Sequence, residues 1–328
     1  MITRRRTIAL AATAALAPGL ARRAPAQSSP GPAWPTRFVR LVAPLAPGGP
    51  TDFVARLVAE PLSKSWGQQV VIENKPGGGT NIANELVARS DPDGYTILYA
   101  TSSLAVNRSL YRSLGYDPIA DLAPVVLLTA FPFFMFVPNS SPAKSVKDFI
   151  AFAKANPGKL TLASPGTGSA PHLTGELFKR MAELEMTHVP YRGAGPVLND
   201  LIPGRVDLYF GSGALLESAR TGQIRGLAVT GAQREPAAPD LPTIAETLPG
   251  FEVSSWQGLF VPAKTSSEIV AKINADARAA LADPLVKGKL EQLGYKPIGS
   301  TPEALAALLK SDINKWGAVI KDAGIAIQ

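Results

Sequence analysis

The chain has 328 residues, with 33 Lys+Arg against 26 Asp+Glu and no cysteine, which excludes a disulfide framework, a thiolate metal site, a cysteine nucleophile and a lipidated amino-terminal cysteine. The formal charge of +7 misleads, because Met1–Ala26 contains five arginines and no acid and leaves 28 basic against 26 acidic residues in the remainder. These are interspersed, so the basic footprint of a nucleic-acid binder is missing.

Met1–Ala26 reads as a signal peptide. It has a basic start (Arg4, Arg5, Arg6), an apolar run from Ile8 to about Leu20 and the cleavage pattern Ala24-Pro25-Ala26. The run is too short to span a bilayer and Pro18-Gly19 interrupts it, so cleavage and release into a periplasm are expected, by the Sec or the twin-arginine route. About 300 residues then remain, enough for two lobes of ~100–200 each. The Ser/Pro/Gly-rich stretch 27–35 is expected to be a flexible leader.

Phe38–Leu45 is the first predicted strand, an unbroken apolar run of the kind buried on both faces of a parallel sheet. It enters a Pro/Gly turn containing Gly48, and a helix is predicted from Thr51 to about Lys64. The amides of Thr51 and Asp52 either meet an anion or belong to an ordinary capped helix start. The unit then repeats. Strand Gln69–Glu73 leads to a turn with Gly78 and Thr80 and to a helix from about Ile82 to Arg89, and strand Tyr95–Ala100 ends in Thr101, Ser102 and Ser103.

Pro124–Val137 is too long and apolar for one ordinary strand, and Pro132 predicts two segments joined by a bend near Phe131–Phe133 that carries the chain into a second lobe. There a helix is predicted at Val146–Ala155, followed by strand Leu160–Ala163, the turn Ser164, Pro165, Gly166, Thr167, Gly168, Ser169, and a helix Pro171–Ala182 whose first turn holds His172. Strand Thr187–Val189 precedes a turn with Tyr191, Gly193 and Gly195, then come helix Val197–Leu201 and strand Val206–Phe210, which ends at Gly211. A strand at Arg225–Thr230 and a return crossing at Phe251–Val261 bring the chain back, and helices at Ser267–Leu281, Pro284–Leu293 and Pro302–Ala323 complete it.

These elements predict a two-lobed α/β protein with a discontinuous first domain, 36–131 and 252–328, and a second domain, 132–251. Ligands of parallel sheets bind beyond the strands' carboxyl ends, so the turn residues named above, from Gly48 to Gly211, are the candidate ligand-binding set. Trp256 lies in the return segment and is expected to sense lobe closure, unless it is a core aromatic in a rigid strand.

Other motifs do not hold up. Gly166-Thr167-Gly168-Ser169-Ala170-Pro171 imitates a dinucleotide fingerprint, but Pro171 stands in the third glycine position and no acidic residue sits where a ribose needs one, so no cofactor is expected. Ser141-Pro142-Ala143-Lys144 lacks the companions of an S-x-x-K site, and no G-x-S-x-G occurs. His172 and His188 have no third partner for a metal. His188 reads as structural, whereas His172 lines the cleft or caps its turn. Arg192 either pairs with a ligand carboxylate or lies in solvent.

The chain resembles the Bug-type periplasmic solute receptors of tripartite tricarboxylate transporters. The resemblance rests on Ala46-Pro47-Gly48-Gly49-Pro50-Thr51-Asp52 with Ala55-Arg56, Asn74-Lys75-Pro76-Gly77, Asp91-Pro92-Asp93-Gly94-Tyr95-Thr96, His188-Val189-Pro190-Tyr191-Arg192-Gly193, Leu227-Ala228-Val229-Thr230, Leu241-Pro242-Thr243 with Glu246, Pro249-Gly250-Phe251-Glu252 and Lys315-Trp316, in that order. It implies a type II periplasmic-binding-protein fold, a small carboxylate held in the cleft by turn amides, hydroxyls and waters, and membrane permease subunits as partners. The family usually shows P-G-A-G-G-x-I-G after its second strand. Here Thr80 and Ala83 replace two of those glycines, so that wall of the pocket differs.

The expected function is therefore an extracytoplasmic receptor that captures a small organic anion and delivers it to such a transporter as a monomer without enzymatic activity. An exported hydrolase of small esters or amides is the alternative, and it needs a positioned nucleophile and base that no motif supplies.

Overall fold

The computed structural model describes residues 34–325 except Ala46, Gly49 and Arg192. The expected signal peptide, Met1–Ala26, and residues 27–33 of the expected leader lie outside the described residues. Trp34 and Pro35, assigned to the leader from sequence, are instead packed: Pro35 is buried, and the Trp34 ring lies 5.0 Å from that of Trp66 and 6.0 Å from that of Tyr95.

Two sheets organise the chain. The first lobe begins β1 (Val39–Ala43), α1 (Pro50–Trp66), β2 (Val70–Asn74), α2 (Asn81–Ala88), β3 (Thr96–Thr101), α3 (Ser103–Leu110) and β4 (Leu122–Pro132). The second comprises β5 (Phe134–Pro138), α4 (Val146–Lys154), β6 (Thr161–Ser164), α5 (Ala170–Ala182), β7 (Thr187–Pro190), α6 (Ala194–Leu201), β8 (Leu208–Gly211), α7 (Leu216–Arg220) and β9 (Ile224–Val229). The chain then returns through β10 (Ser254–Pro262), α8 (Ser267–Ala282), α9 (Pro284–Gln292), β11 (Lys296–Pro297) and α10 (Pro302–Asp322). Strand order is β11-β4-β10-β3-β1-β2 in one sheet and β7-β6-β8-β5-β9 in the other.

In each sheet three strands run parallel, with the first in sequence at the centre: β1 between β2 and β3, and β6 between β7 and β8. An antiparallel strand follows, β10 beside β3 and β5 beside β8. The carboxyl ends of the parallel strands therefore all carry the small-residue turns. The helix α3, eight residues long, was not predicted. Its Leu104, Ala105, Val106, Asn107 and Leu110 are all buried, which leaves no amphipathic alternation to read.

The chain leaves the first sheet at Phe133, between β4 and β5, and the two crossings are tied together by Thr230. Its backbone N–H donates to the Phe133 carbonyl at 2.9 Å and its carbonyl accepts from Val253 at 2.8 Å. Its hydroxyl accepts from the Phe133 N–H at 2.8 Å and donates to the Val253 carbonyl at 2.7 Å. One buried apolar cluster runs through this junction, from Leu98 and Trp256 to Met135, Phe178 and Phe210, while each sheet's other face has its own cluster.

Trp256 is 2 % exposed, and its indole N–H donates to Asp312 Oδ2 on α10 at 2.7 Å. Both residues belong to the returning part of the chain, which fits a core aromatic better than a closure sensor. Burial pushes the Asp312 carboxyl above its usual range, opposed by the indole bond and by Lys315. A carboxyl whose pKa is higher folded than unfolded binds more protons when folded, so its contribution to stability falls as pH rises from the unfolded to the folded value. Asp312→Asn keeps an acceptor for the indole and removes this cost. We expect the variant to be at least as stable as the parent at pH 7 and to lose part of the parent's decline above about pH 4. Urea midpoints measured from pH 4 to 7 check this, and a marked loss at pH 7 contradicts it.

Candidate functional site

At the turn after β1 the polar side chain points inward. Asp52 is 4 % exposed and accepts from the Gly48 amide at 3.0 Å, Arg56 Nε at 2.8 Å and Asn74 Nδ2 at 2.9 Å. The Arg56 guanidinium, helped by the Gly48 and Asn74 bonds, outweighs burial and holds the carboxyl down at about 2. Asp52 is therefore a clamp that shapes the turn, fixing an exposed Gly48 while Thr51 stays half-buried at the helix start. Asn74 also donates to the Leu45 carbonyl at 2.9 Å, joining the first two turns of the lobe.

The turn after β2 is left-handed. Gly77, Gly78, Gly79 and Thr80 have φ of 119°, 57°, 60° and 84° in succession. The three glycines are exposed, but Thr80 is buried, and its hydroxyl lies 3.2 Å from both Asn84 Nδ2 and Asn107 Nδ2. Thr80 is thus turned away from the surface on which the sequence placed it. Ser102 is likewise buried, its hydroxyl 2.9 Å from that of Ser255 on β10, while Ser103 stays half-buried.

In the second lobe Ser164 is fully buried. Its hydroxyl donates to the Gly166 carbonyl at 3.0 Å, accepts the Gly166 amide at 3.2 Å and lies 2.7 Å from His188 Nε2. His172 is 3 % exposed and stacks on His188 with ring centroids 3.6 Å apart. Its Nδ1 accepts the Gly168 amide at 3.0 Å, and its Nε2 lies 3.6 Å from Glu176, which Lys179 pairs at 2.9 Å. Of the two roles left open for His172, the structure shows the turn-bracing one. Burial, reinforced by His172, pushes His188 down to about 4, so it is neutral at pH 7. Ser169 caps α5 and also donates to the Gly166 carbonyl at 2.7 Å, and Thr167 is exposed at the tip.

The turns after β6 and β7 meet through Tyr191 N–H to the Ser164 carbonyl at 2.9 Å and Gly193 N–H to the Pro165 carbonyl at 3.1 Å. The Tyr191 hydroxyl donates to Asp200 at 2.7 Å, and burial together with that carboxylate pushes the phenol up to about 12. Gly195 is exposed within α6. Gly211 is buried, and a Cβ there would lie 2.6 Å from Leu215 and 2.9 Å from Tyr209, so it serves close packing rather than an open wall. Arg192 is outside the described residues.

The two lobes touch where Gly168 meets α3. A Cβ on Gly168 would lie 2.0 Å from Leu110 Cδ2, and φ at Gly168 is +76°. The model of the tripartite tricarboxylate transporter family receptor, TctC, matches residues 54–325. The chain belongs to that family. The receptor is 40 % identical over 291 residues to a UPF0065 protein from the tcbD-tcbE intergenic region of Pseudomonas sp. strain P51, covering 88 % of this chain and 87 % of that one. It superposes on R. palustris Rpa4515 with adipate at a TM-score of 0.81 and 42 % identity, covering 89 % and 99 % of the two chains. It also superposes on the periplasmic binding protein BugD at 0.79 and 36 %, covering 90 % and 100 %. The receptor is a two-lobed α/β solute-binding protein of the type II architecture, and the Bug-type resemblance read from its motifs holds.

Sequence reasoning missed Asn84, Asn107 and Tyr116, the polar residues beneath the left-handed turn. Their only sequence signal is three amide or phenol side chains at apolar-looking positions, and nothing local distinguishes these from surface residues.

Proposed function

We propose that the receptor captures a small organic acid through the carboxylate, in the cleft between lobes 36–131 with 252–328 and 132–251, and hands it to the permease subunits of a tripartite tricarboxylate-type transporter. The observation that carries this reading is the division of labour in the turns. Asp52, Thr80, Ser164 and His172 are buried and braced, and they hold exposed glycine backbone at Gly48 and Gly77 to Gly79 and, in the second lobe, a turn whose tip, Thr167, is exposed beside a half-buried Gly166. Neutral backbone amides suit a carboxylate, and hydrogen bonds to a charged group contribute about 1.5–3 kcal/mol each, so several reach the roughly 8 kcal/mol of micromolar binding. The adipate carried by Rpa4515 supports a dicarboxylate as the first ligand to try.

Export by a cleaved signal peptide, a periplasmic site of action and a monomeric state belong to the same reading, supported by the pattern of Met1–Ala26 and by the similarity to a periplasmic binding protein. The hydrolase alternative would use Ser164 and His188, which lie 2.7 Å apart. Against it, Ser164 has no exposed surface and His188, held at about 4, is a poor base at neutral pH.

Mass spectrometry of acid released from the denatured, freshly purified protein, followed by calorimetric titration with C4 to C6 dicarboxylates beginning with adipate, tests the proposal. We expect a single site of roughly micromolar affinity. A protein that releases no organic acid and gives no heat with any of them would overturn it.

A further inference from the structure

We propose that Asn107, in the middle of α3, is a positioning residue that holds the left-handed Gly77–Thr80 turn with its amide edge toward the ligand. The inference rests on the carboxylate reading above, and it names the side chain on which this half of the site depends.

Three of the four residues in the turn are glycines, for which positive φ costs little, but the fourth is Thr80 at +84°. A β-branched residue there is an outlier that persists only where its surroundings over-determine it. Those surroundings are polar and buried. Asn107 is 2 % exposed, and its Nδ2 donates to the Gly79 carbonyl at 2.8 Å and to Asn81 Oδ1 at 2.7 Å, with the Thr80 hydroxyl at 3.2 Å. Asn84 Nδ2 reaches the Thr80 hydroxyl at 3.2 Å and the Tyr116 oxygen at 2.8 Å, and the Tyr116 hydroxyl donates to Asn81 Oδ1 at 2.9 Å.

One carboxamide therefore grips the turn on both sides of Thr80, at the Gly79 carbonyl and at Asn81. With the Gly79 carbonyl drawn inward, the Thr80 amide donates back to the Gly77 carbonyl at 3.0 Å and the Asn81 amide to the Gly78 carbonyl. The amides of Gly78 and Gly79 have no acceptor among the described residues, and both glycines are exposed. Two donors are thus left on the outer edge of a turn whose inner edge is pinned. Asn107 itself does not reach that edge and acts only through the turn.

The test uses Asn107→Ala, alone and combined with Thr80→Gly. Glycine adopts positive φ freely, so it re-forms the turn without the brace. In Asn107→Ala we expect hydrogen exchange of the segment 77–82 to accelerate at least tenfold in the ligand-free protein, with exchange of β1 and β6 unchanged. The dissociation constant for adipate should rise about tenfold, the equivalent of about 1.4 kcal/mol. The double variant should recover most of both. Asn107→Leu, which keeps about the same size and loses the donor, should mimic Asn107→Ala and serves if that variant folds poorly. Acceleration spread evenly over α3, β3 and the turn, without recovery by Thr80→Gly, would mean that Asn107 merely packs, and would overturn the proposal. A local, rescued acceleration in a protein that binds neither adipate nor its C4 and C5 homologues supports the positioning role and removes the carboxylate reading instead.

Discussion

Gly168→Ala is expected to weaken ligand capture by roughly 5- to 150-fold while lowering the melting temperature of the ligand-free protein by only a few degrees. Two costs arise, and they fall on different steps. A Cβ at φ +76° is strained by about 1 kcal/mol or more, and one placed 2.0 Å from Leu110 Cδ2 overpacks the contact by a further ~1–3 kcal/mol. Leu110 is 3 % exposed and has little room to retreat. Because the contact lies between the lobes, hinge opening relieves the clash, so the cost falls on closure and hence on affinity, and only the backbone strain falls on folding. Adding Leu110→Ala should restore about tenfold of the loss, since a coupled pair shows an interaction energy that independent sites do not. Titration calorimetry with the acid released from the purified protein, together with thermal melts of both variants, decides the matter. Equal losses in affinity and in melting temperature would assign Gly168 to folding instead.

Thr230→Val is expected to be the most destabilising of the isosteric changes considered, lowering stability by about 2–4 kcal/mol. Valine matches the shape but removes the hydroxyl that accepts from Phe133 N–H at 2.8 Å and donates to the Val253 carbonyl at 2.7 Å. Thr230 is fully buried and Phe133 is 4 % exposed, so both backbone groups would be left without a partner and away from water. Thr230→Ser keeps the hydroxyl and loses one methyl, which should cost only about 1 kcal/mol. Urea midpoints for the two variants, read by far-UV circular dichroism, separate the hydrogen-bond loss from the packing loss. If valine and serine are equally destabilising, the hydroxyl is not what joins the crossings.

The glycine-rich turns were legible because their signals are local. A run such as Leu41-Val42-Ala43 followed by prolines and glycines can hardly be anything but a buried strand entering a turn, and the bend was placed within a residue or two of Phe133 from Pro132 alone. The direction of the turn side chains was not legible. Asp52, Thr80, Ser102, Ser164 and His172 all read as candidates to face a ligand, because polar residues beside a glycine look the same whether they point outward or brace the turn from beneath. The difference lies in partners such as Asn74, Asn107, Ser255 and His188, which arrive from other elements.

By itself the sequence determined the repeated strand-turn-helix units, the excursion into a second lobe and return, the family, and the expectation that backbone would face the ligand. These follow from periodicity, from the φ restrictions of proline and glycine, and from motif order, all of which act over a few residues. Only the tertiary structure decided the helix at Ser103–Leu110, the grip of Asn107 on the left-handed turn, the seat of Leu110 against Gly168 and the Thr230 bridge between crossings. Each of these depends on a buried group finding its partner tens of residues away in the chain. Which partner it finds is set by the packing of two sheets and their helices, where an unpaired polar group is costly and a missing Cβ leaves room for one particular neighbour.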